Sequence, residues 1–484
     1  MAVNVEQVIA SVPVGQFIAG QWHTTGAWFE VTDPATGEVL SRVSDASPAD
    51  AAAAMDAACA AAPDWAATAP RDRAEILGRA FDLIQERRDT FAALMTLEMG
   101  KPLAEAYGEV AYGSEFLRWF SEETCRAEGR WSVAPAGGSR FLTMKQPVGP
   151  VYAITPWNFP LAMGTRKLGP ALAAGCTVVI KPASATPLTM LYLMQALADA
   201  GLPAGVVNCV VSSRSSDVSA PILADDRLRK LTFTGSTEVG RSLLEQSAGH
   251  VLRTSMELGG NAPFVVLSDA DVDEAVAGAM VAKFRNNGEA CTAANRFFVH
   301  TDLYDEFRDK LVAAVEKLVV GPGIADGTTL GPLVDEESVD KVAGLVDDAV
   351  AKGAVALTGG SRVDGPGHFF AATVLADVSR DARVLKEEIF GPVAPLIRVD
   401  SDDEAIALAN DTEFGLMAYL YSRDISRALA AVEKLESGMV GLNTGLVSNP
   451  AAPFGGVKQS GLGREGSHEG LDEYLEIKYV GLPL

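Results

Sequence analysis

The residue with the most chemistry to offer is Cys291, set among small residues in GEACTAANR (288–296). A thiol becomes a nucleophile by losing a proton, and thiolate attack turns a planar carbonyl carbon tetrahedral. Cys59, Cys125, Cys176 and Cys209 are widely spaced and form no C-x-x-C pair. They read as small buried hydrophobes, and an odd, scattered set of five fits a reducing, cytoplasmic compartment. Five histidines without an H-x-x-x-H pair leave a zinc mechanism short of ligands, so no metal is expected. Glu257, in MELGG (256–260), has apolar neighbours that would raise its pKa toward that of a general base. Asn158, in TPWNFP (155–160), is a neutral donor on a Pro-fixed turn; with the Cys291 N–H it could hold an oxyanion.

Two stretches could bind a phosphate. In FTGSTEVG (233–240), Gly235 lets the backbone approach closely, and Ser236 with the helix N-terminus offers donors to a pyrophosphate. The plainer reading is a Ser/Thr-capped strand-to-helix turn. A literal G-x-G-x-x-G at Gly461, Gly463 and Gly466 lacks a preceding strand, and too little chain follows for a βαβ unit of roughly 30 residues. It reads as a tight glycine turn.

These residues need elements to hold them. Between 148 and 258, β-rich runs (VGPVYAIT, CTVVIKP, VVNCVVS, KLTFTG) alternate with helical segments starting near Leu161, Pro187, Ser215 and Ser236. That alternation predicts a parallel sheet with helices on both faces and ligands at the carboxyl ends of its strands. A second α/β region runs from about 259 to 445, with strands FVVL, FFVH and AYLYS. Residues 46–125 carry apolar stripes at helical spacing (Ala74, Leu77, Phe81, Ile84; Phe91, Leu94, Met95, Met99) and read as surface helices packed on a core. The stretch 126–146 and the tail, with DEYLEIKYV, fit neither unit and read as an oligomerisation arm.

Composition narrows the partners. A net charge of −23 argues against nucleic acid, whose phosphates demand basic patches. No apolar stretch approaches the roughly 18–20 residues of a membrane span, and the N-terminus has no basic start or long apolar run. An anionic substrate would need locally placed arginines, because beyond about 8 Å the bulk acidity is screened.

TPWNFP, KPAS (181–184), MELGG, GEACTAANR, EEIFGPV (387–393) and PFGGVKQSGLGREG (453–466), in this order and spacing, resemble the aldehyde dehydrogenase superfamily over nearly the whole chain. The resemblance implies an α/β fold with a Rossmann-like cofactor domain (1–125 and 147–254), an α/β catalytic domain (255–445) and a small β oligomerisation arm (126–146 and 446–484). It implies Cys291 as nucleophile, Asn158 as oxyanion donor, Glu257 as general base and Lys167 as proton relay. Thr155, Trp157, Lys181, Ser184, Gly235, Ser236, Glu388 and Phe390 would hold NAD or NADP. Lys181 and Ser184 match the adenosine-ribose positions, Glu388 accepts from the nicotinamide ribose, and Phe390 packs beside it. Ser184 stands where NAD-selective relatives tend to carry Glu, so NADP is expected to be accepted, as the preferred cofactor.

Within the superfamily, NTGLVS (443–448), the tail and TRK (165–167) are most similar to succinate-semialdehyde dehydrogenases. That implies a small-molecule aldehyde with a far carboxylate, held by Arg166, Arg285 and Ser448, and a homodimer or homotetramer. One departure is Ala293, where those enzymes often complete a C-x-C; no redox disulfide can form beside Cys291 there. Glu257 favours hydrolysis of the thioester over transfer to coenzyme A. Glutarate semialdehyde and other aldehydes remain alternatives. So does an inactive binding protein on the same fold, against which the joint presence of Cys291, Glu257 and Asn158 counts.

Overall fold

The computed structural model describes residues 4–483. Its first sheet has eight strands, in the order Gly461–Leu462, Arg253–Glu257, Lys230–Thr234, Val151–Ile154, Val178–Lys181, Val207–Cys209, Gln16–Ile18 and Gln21–His23. The middle five, from Arg253–Glu257 to Val207–Cys209, are mutually parallel. Helices Ala162–Ala174, Leu188–Asp199, Ser215–Leu223 and Thr237–Ala248 connect them, each beginning within a residue or so of its expected start. Four of these strands, Val151–Ile154, Val178–Lys181, Val207–Cys209 and Lys230–Thr234, are buried at every position, which is why their sequences run apolar without alternation.

The chain order of this sheet decides where a ligand can enter. From Val151–Ile154 the next two strands are laid to one side, and the chain then returns to place Lys230–Thr234 on the other. At such a reversal the connecting loops part and leave a crevice at the carboxyl ends of the two strands. Those ends are Thr155–Trp157 and Gly235–Ser236. A second sheet of seven strands holds Ala262–Val266 between Ala294–His300 and Met417–Tyr421, all parallel.

The tail does two jobs. Gly461–Leu462 pairs antiparallel with Met256–Glu257, and Leu475–Pro483 pairs with Ser139–Pro147 in a three-stranded antiparallel arm completed by Arg130–Val133. Gly461 (φ +137°), Gly463 (+84°) and Gly466 (+70°) all take left-handed backbone. A Cβ on Gly461 would meet the Met256 carbonyl. The G-x-G-x-x-G is thus a turn pressed against the strand that carries Glu257.

Two expectations need correcting. Cys176 and Cys209 are buried, but Cys59 is only half-buried and Cys125, in the turn after the helix Leu103–Glu123, is exposed. The helix Arg88–Met99 is not a surface helix: every residue from Phe91 to Met99 is buried. It packs against both Leu103–Glu123 and Leu188–Asp199, so it has little solvent face.

Candidate active site

Cys291 sits in the loop between the helix Val272–Phe284 and the strand Ala294–His300. The loop is held in an unusual shape, with Asn286 at φ +57° and Asn287 at φ +60°, a region asparagine tolerates better than most residues. Side-chain bonds fix it. Asn287 accepts from the Gly331 N–H (2.7 Å) and donates to the Pro332 carbonyl (2.9 Å). Asn286 Nδ2 donates to the carbonyls of Glu289 (3.0 Å) and Asn158 (3.1 Å). Gly288 leaves no room for a Cβ, which would meet the Gly391 carbonyl.

Asn158 is pinned from the same side. Its carbonyl accepts from the buried Lys101 ammonium at 2.8 Å, and its Nδ2 donates to the Glu289 carbonyl at 3.0 Å. An amide nitrogen carries two N–H groups, so one remains for a ligand. Asn158, Cys291 and Glu257 line one cavity of about 230 Å³. Burial pushes the Cys291 thiol up to about 12, against the pull of Arg166 and Arg285. The resting residue is therefore a thiol, and a base must take its proton before it can attack.

Glu257 ends its strand with both carboxylate oxygens buried and without a hydrogen bond among the described residues. Burial first, and the Glu465 carboxylate second, hold it well above the usual range; Arg166, Lys167 and Arg464 oppose them. Glu465 behaves in the opposite way. Burial acts against its charge, but Arg166 and Lys167 outweigh that and keep it below the usual range. Lys167 Nζ donates to Glu465 Oε1 at 2.7 Å and to Thr232 Oγ1 at 3.1 Å. Two carboxylates in one buried site with pKa values driven apart are the arrangement in which one holds a proton and the other stays ionised.

Arg166 pairs with the same Glu465 and lies over the Phe454 ring at 4.2 Å. It is not among the residues lining a separate cavity of about 170 Å³, where Arg285 and Ser448 meet Glu105, Tyr112, Phe159 and Leu446. Arg285 lies over Phe159 at 5.3 Å and has no ion pair among the described residues.

On the other side of the nucleophile, the 230 Å³ cavity shares Pro156, Trp157, Thr234, Gly235 and Ser236 with a cavity of about 650 Å³. Thr155, Lys181 and Ser184 line the larger one, and Glu388 and Phe390 the smaller. The two chambers meet at the sheet's reversal. Lys181 is buried, its Nζ donates only to the Pro182 carbonyl (3.1 Å) among the described residues, and burial pulls it down to about 8. Among the described residues, no carboxylate lines the larger chamber. Glu388 accepts from the Gly260 N–H at 3.1 Å, and Trp157 meets Phe390 edge to face with centroids 5.4 Å apart. Ser236 also caps its helix, accepting from the Val239 N–H at 3.4 Å. A buried, under-partnered lysine in one chamber and a partly satisfied carboxylate in the other fit a dinucleotide lying across the two.

Sequence reasoning missed several participants. Ser338 and Lys341, on the helix Glu336–Ala351, also line the smaller chamber. Glu465 lies within the PFGGVKQSGLGREG stretch but 298 positions from Lys167, and nothing local announces the pairing.

The chain matches the aldehyde dehydrogenase family over residues 22–480. It is 59% identical over 444 residues (92% of this chain, 99% of the other) to a succinate-semialdehyde dehydrogenase of Paenarthrobacter nicotinovorans. It is 51% identical over 466 residues (96% of each) to a glutarate-semialdehyde dehydrogenase of Pseudomonas putida. The crystal structure of an Escherichia coli NADP-dependent enzyme superposes with a TM-score of 0.97 at 49% identity, covering 100% of both chains. Matched by the family over almost its entire length and 59% identical to one such relative over 92% of its residues, the chain belongs to the aldehyde dehydrogenase family.

Proposed function

We propose that the chain oxidises a short ω-carboxylated aldehyde, succinate semialdehyde foremost, to its acid, with NADP or NAD as cofactor. The observation that carries the substrate class is Arg285, a guanidinium with no ion pair among the described residues, sharing a small cavity with Ser448. Charge-assisted hydrogen bonds from arginine contribute about 1.5–3 kcal/mol each. Arg166, paired with Glu465 and close enough to act on the Cys291 thiol, is the second arginine we assign to the substrate carboxylate.

The ionised form of Glu257 takes the proton of Cys291 and passes it on toward Lys167–Glu465 and solvent, which returns Glu257 to a carboxylate; the thiolate attacks the aldehyde carbon to give a thiohemiacetal. The remaining N–H of Asn158 and the Cys291 N–H hold the oxyanion; removing one such donor typically costs about 2.7–4 kcal/mol. When bound, the nicotinamide supplies the hydride acceptor. Glu388 and Phe390 would hold its ribose end; Trp157, Gly235 and Ser236 line both chambers, and Thr155 lines the larger one. Glu257, again a carboxylate, accepts a proton from the water that attacks the thioester left on Cys291; the C–S bond breaks, the Cys291 thiolate leaves and the acid is released. The Lys167–Glu465 pair is poised to carry that proton onward.

Lys181 and Ser184 offer an ammonium and a hydroxyl where a 2′-phosphate would lie, which supports NADP as the preferred cofactor. The resemblance to a glutarate-semialdehyde dehydrogenase keeps one further methylene in the substrate as a second reading.

We assign cofactor binding to 1–125 and 147–254, catalysis to 255–445 and subunit association to 126–146 and 446–484. The arm leaves Trp131, Val133, Ile477 and Tyr479 more than half exposed, an apolar surface suited to a second copy in a homodimer or homotetramer. No described helix is long and apolar enough to cross a membrane. Unpaired cysteines favour the cytoplasm.

The deciding experiment is an initial-rate panel of succinate semialdehyde, glutarate semialdehyde and uncharged butyraldehyde with both cofactors. The proposal expects a strong preference for a semialdehyde, lost on Arg285→Ala. Equal kcat/KM for all three in the wild type would end the carboxylate reading.

A further inference from the structure

Glu105 lines the same cavity as Arg285 and Ser448, and the mechanism above gives it no task. It stands in the first turn of the helix Leu103–Glu123. One carboxylate oxygen accepts the Asn286 N–H at 2.6 Å, which anchors it beside the residue that follows Arg285. The other makes no hydrogen bond among the described residues. The remaining charges nearby are accounted for. Glu109, one turn along, is paired with Lys101 and accepts the N–H groups of Leu161 and Ala162. The cavity therefore presents one uncommitted cation, Arg285, and one partly committed carboxylate, Glu105.

We infer that Glu105 is a specificity-determining residue, whose carboxylate opposes that of the substrate in the Arg285 cavity and limits how tightly carboxylated aldehydes and dicarboxylate products are held. The inference rests on the carboxylate reading of that cavity. Like charges in a partly desolvated cavity repel more strongly than in water. The oxidised product carries two carboxylates, and an opposing charge beside Arg285 speeds its departure. Burial raises the Glu105 carboxyl, while the Asn286 N–H, Arg285 and Lys101 oppose the rise. A bound anion raises it further, so binding of a carboxylated substrate is linked to proton uptake.

The test is Glu105→Gln, which keeps an oxygen for the Asn286 N–H and removes the charge. KM for succinate semialdehyde and the inhibition constant of succinate should each fall about fivefold to tenfold, where tenfold is about 1.4 kcal/mol. KM for butyraldehyde should stay within about twofold, and Glu105→Asp, which keeps the charge, should retain the wild-type ratio between the two aldehydes. In the wild type, KM for the semialdehyde should fall as pH is lowered toward the raised pKa of Glu105, while that for butyraldehyde stays flat. Should the glutamine variant fail to fold, this wild-type comparison decides: parallel pH curves overturn the inference. A variant in which both aldehydes shift together, or neither shifts, also overturns it and leaves the carboxylate reading standing. A wild type that does not distinguish the two aldehydes overturns both.

Discussion

Replacing Glu465 with Gln tests how the two buried carboxylates divide their work. In the wild type, Glu465 is the counter-charge of two buried cations, Arg166 and Lys167, and also a negative neighbour that raises the pKa of Glu257. Removing its charge acts twice on Glu257. The repulsion disappears, and Arg166 and Lys167, both of which already favour the Glu257 anion, lose the carboxylate that occupied them. Each change moves the Glu257 pKa downward. A base works in its ionised form, so the rising limb of the deacylation pH profile should move to lower pH. A shift of one unit corresponds to about 1.4 kcal/mol, and two effects of one sign in a buried site should give at least about that much. Two uncompensated buried cations should also lower folding stability by about 3–5 kcal/mol. The assay is the slow phase after the burst of reduced cofactor, followed across pH, with urea unfolding alongside. A deacylation limb that stayed in place, in a variant with the expected stability loss, would show that Glu465 is only structural. A limb that moved to higher pH would reverse the electrostatic assignment.

Three further outcomes follow from the same geometry. Cys291→Ala should abolish turnover while fluorescence titration still detects cofactor binding, because the two chambers are lined mainly by other residues; residual turnover above a trace would rule out the covalent route. Glu257→Gln should show a burst of reduced cofactor followed by a slowed second phase. It should also be more heat-stable than wild type at alkaline pH. The folded-state pKa of Glu257 is raised, so the stability it contributes is present at low pH and lost as pH rises through that value, and glutamine has nothing to lose. A difference in Tm that did not grow with pH would count against the raised pKa. Ser184→Glu should shift cofactor preference from NADP toward NAD by setting a carboxylate beside Lys181 in a chamber lined by none, and an unchanged ratio of kcat/KM values would place the 2′-phosphate elsewhere.

What the sequence determined by itself was everything carried by short-range pattern. Apolar runs without alternation announced buried parallel strands, the residues after each run announced the turns, and Thr155–Trp157 and Gly235–Ser236 fall at strand ends as expected. Cys291, Glu257 and Asn158 were legible because the motifs around them resemble those of the aldehyde dehydrogenase superfamily and their side chains suit that chemistry, and the structure sets all three around one cavity. What only the tertiary structure decided was which charges meet. Arg166 and Arg285 look alike in sequence, yet one is paired with Glu465 and the other faces an open cavity. Glu257 and Glu465 are both glutamates within two residues of a glycine, yet one is driven up in pKa and the other down. Even the burial of Phe91–Met99 depended on a second helical neighbour from beyond residue 187. Local backbone preference is a property of consecutive residues, whereas desolvation and Coulomb energy belong to pairs. The partners here lie as far as 298 positions apart, and the chain brings them together only by folding.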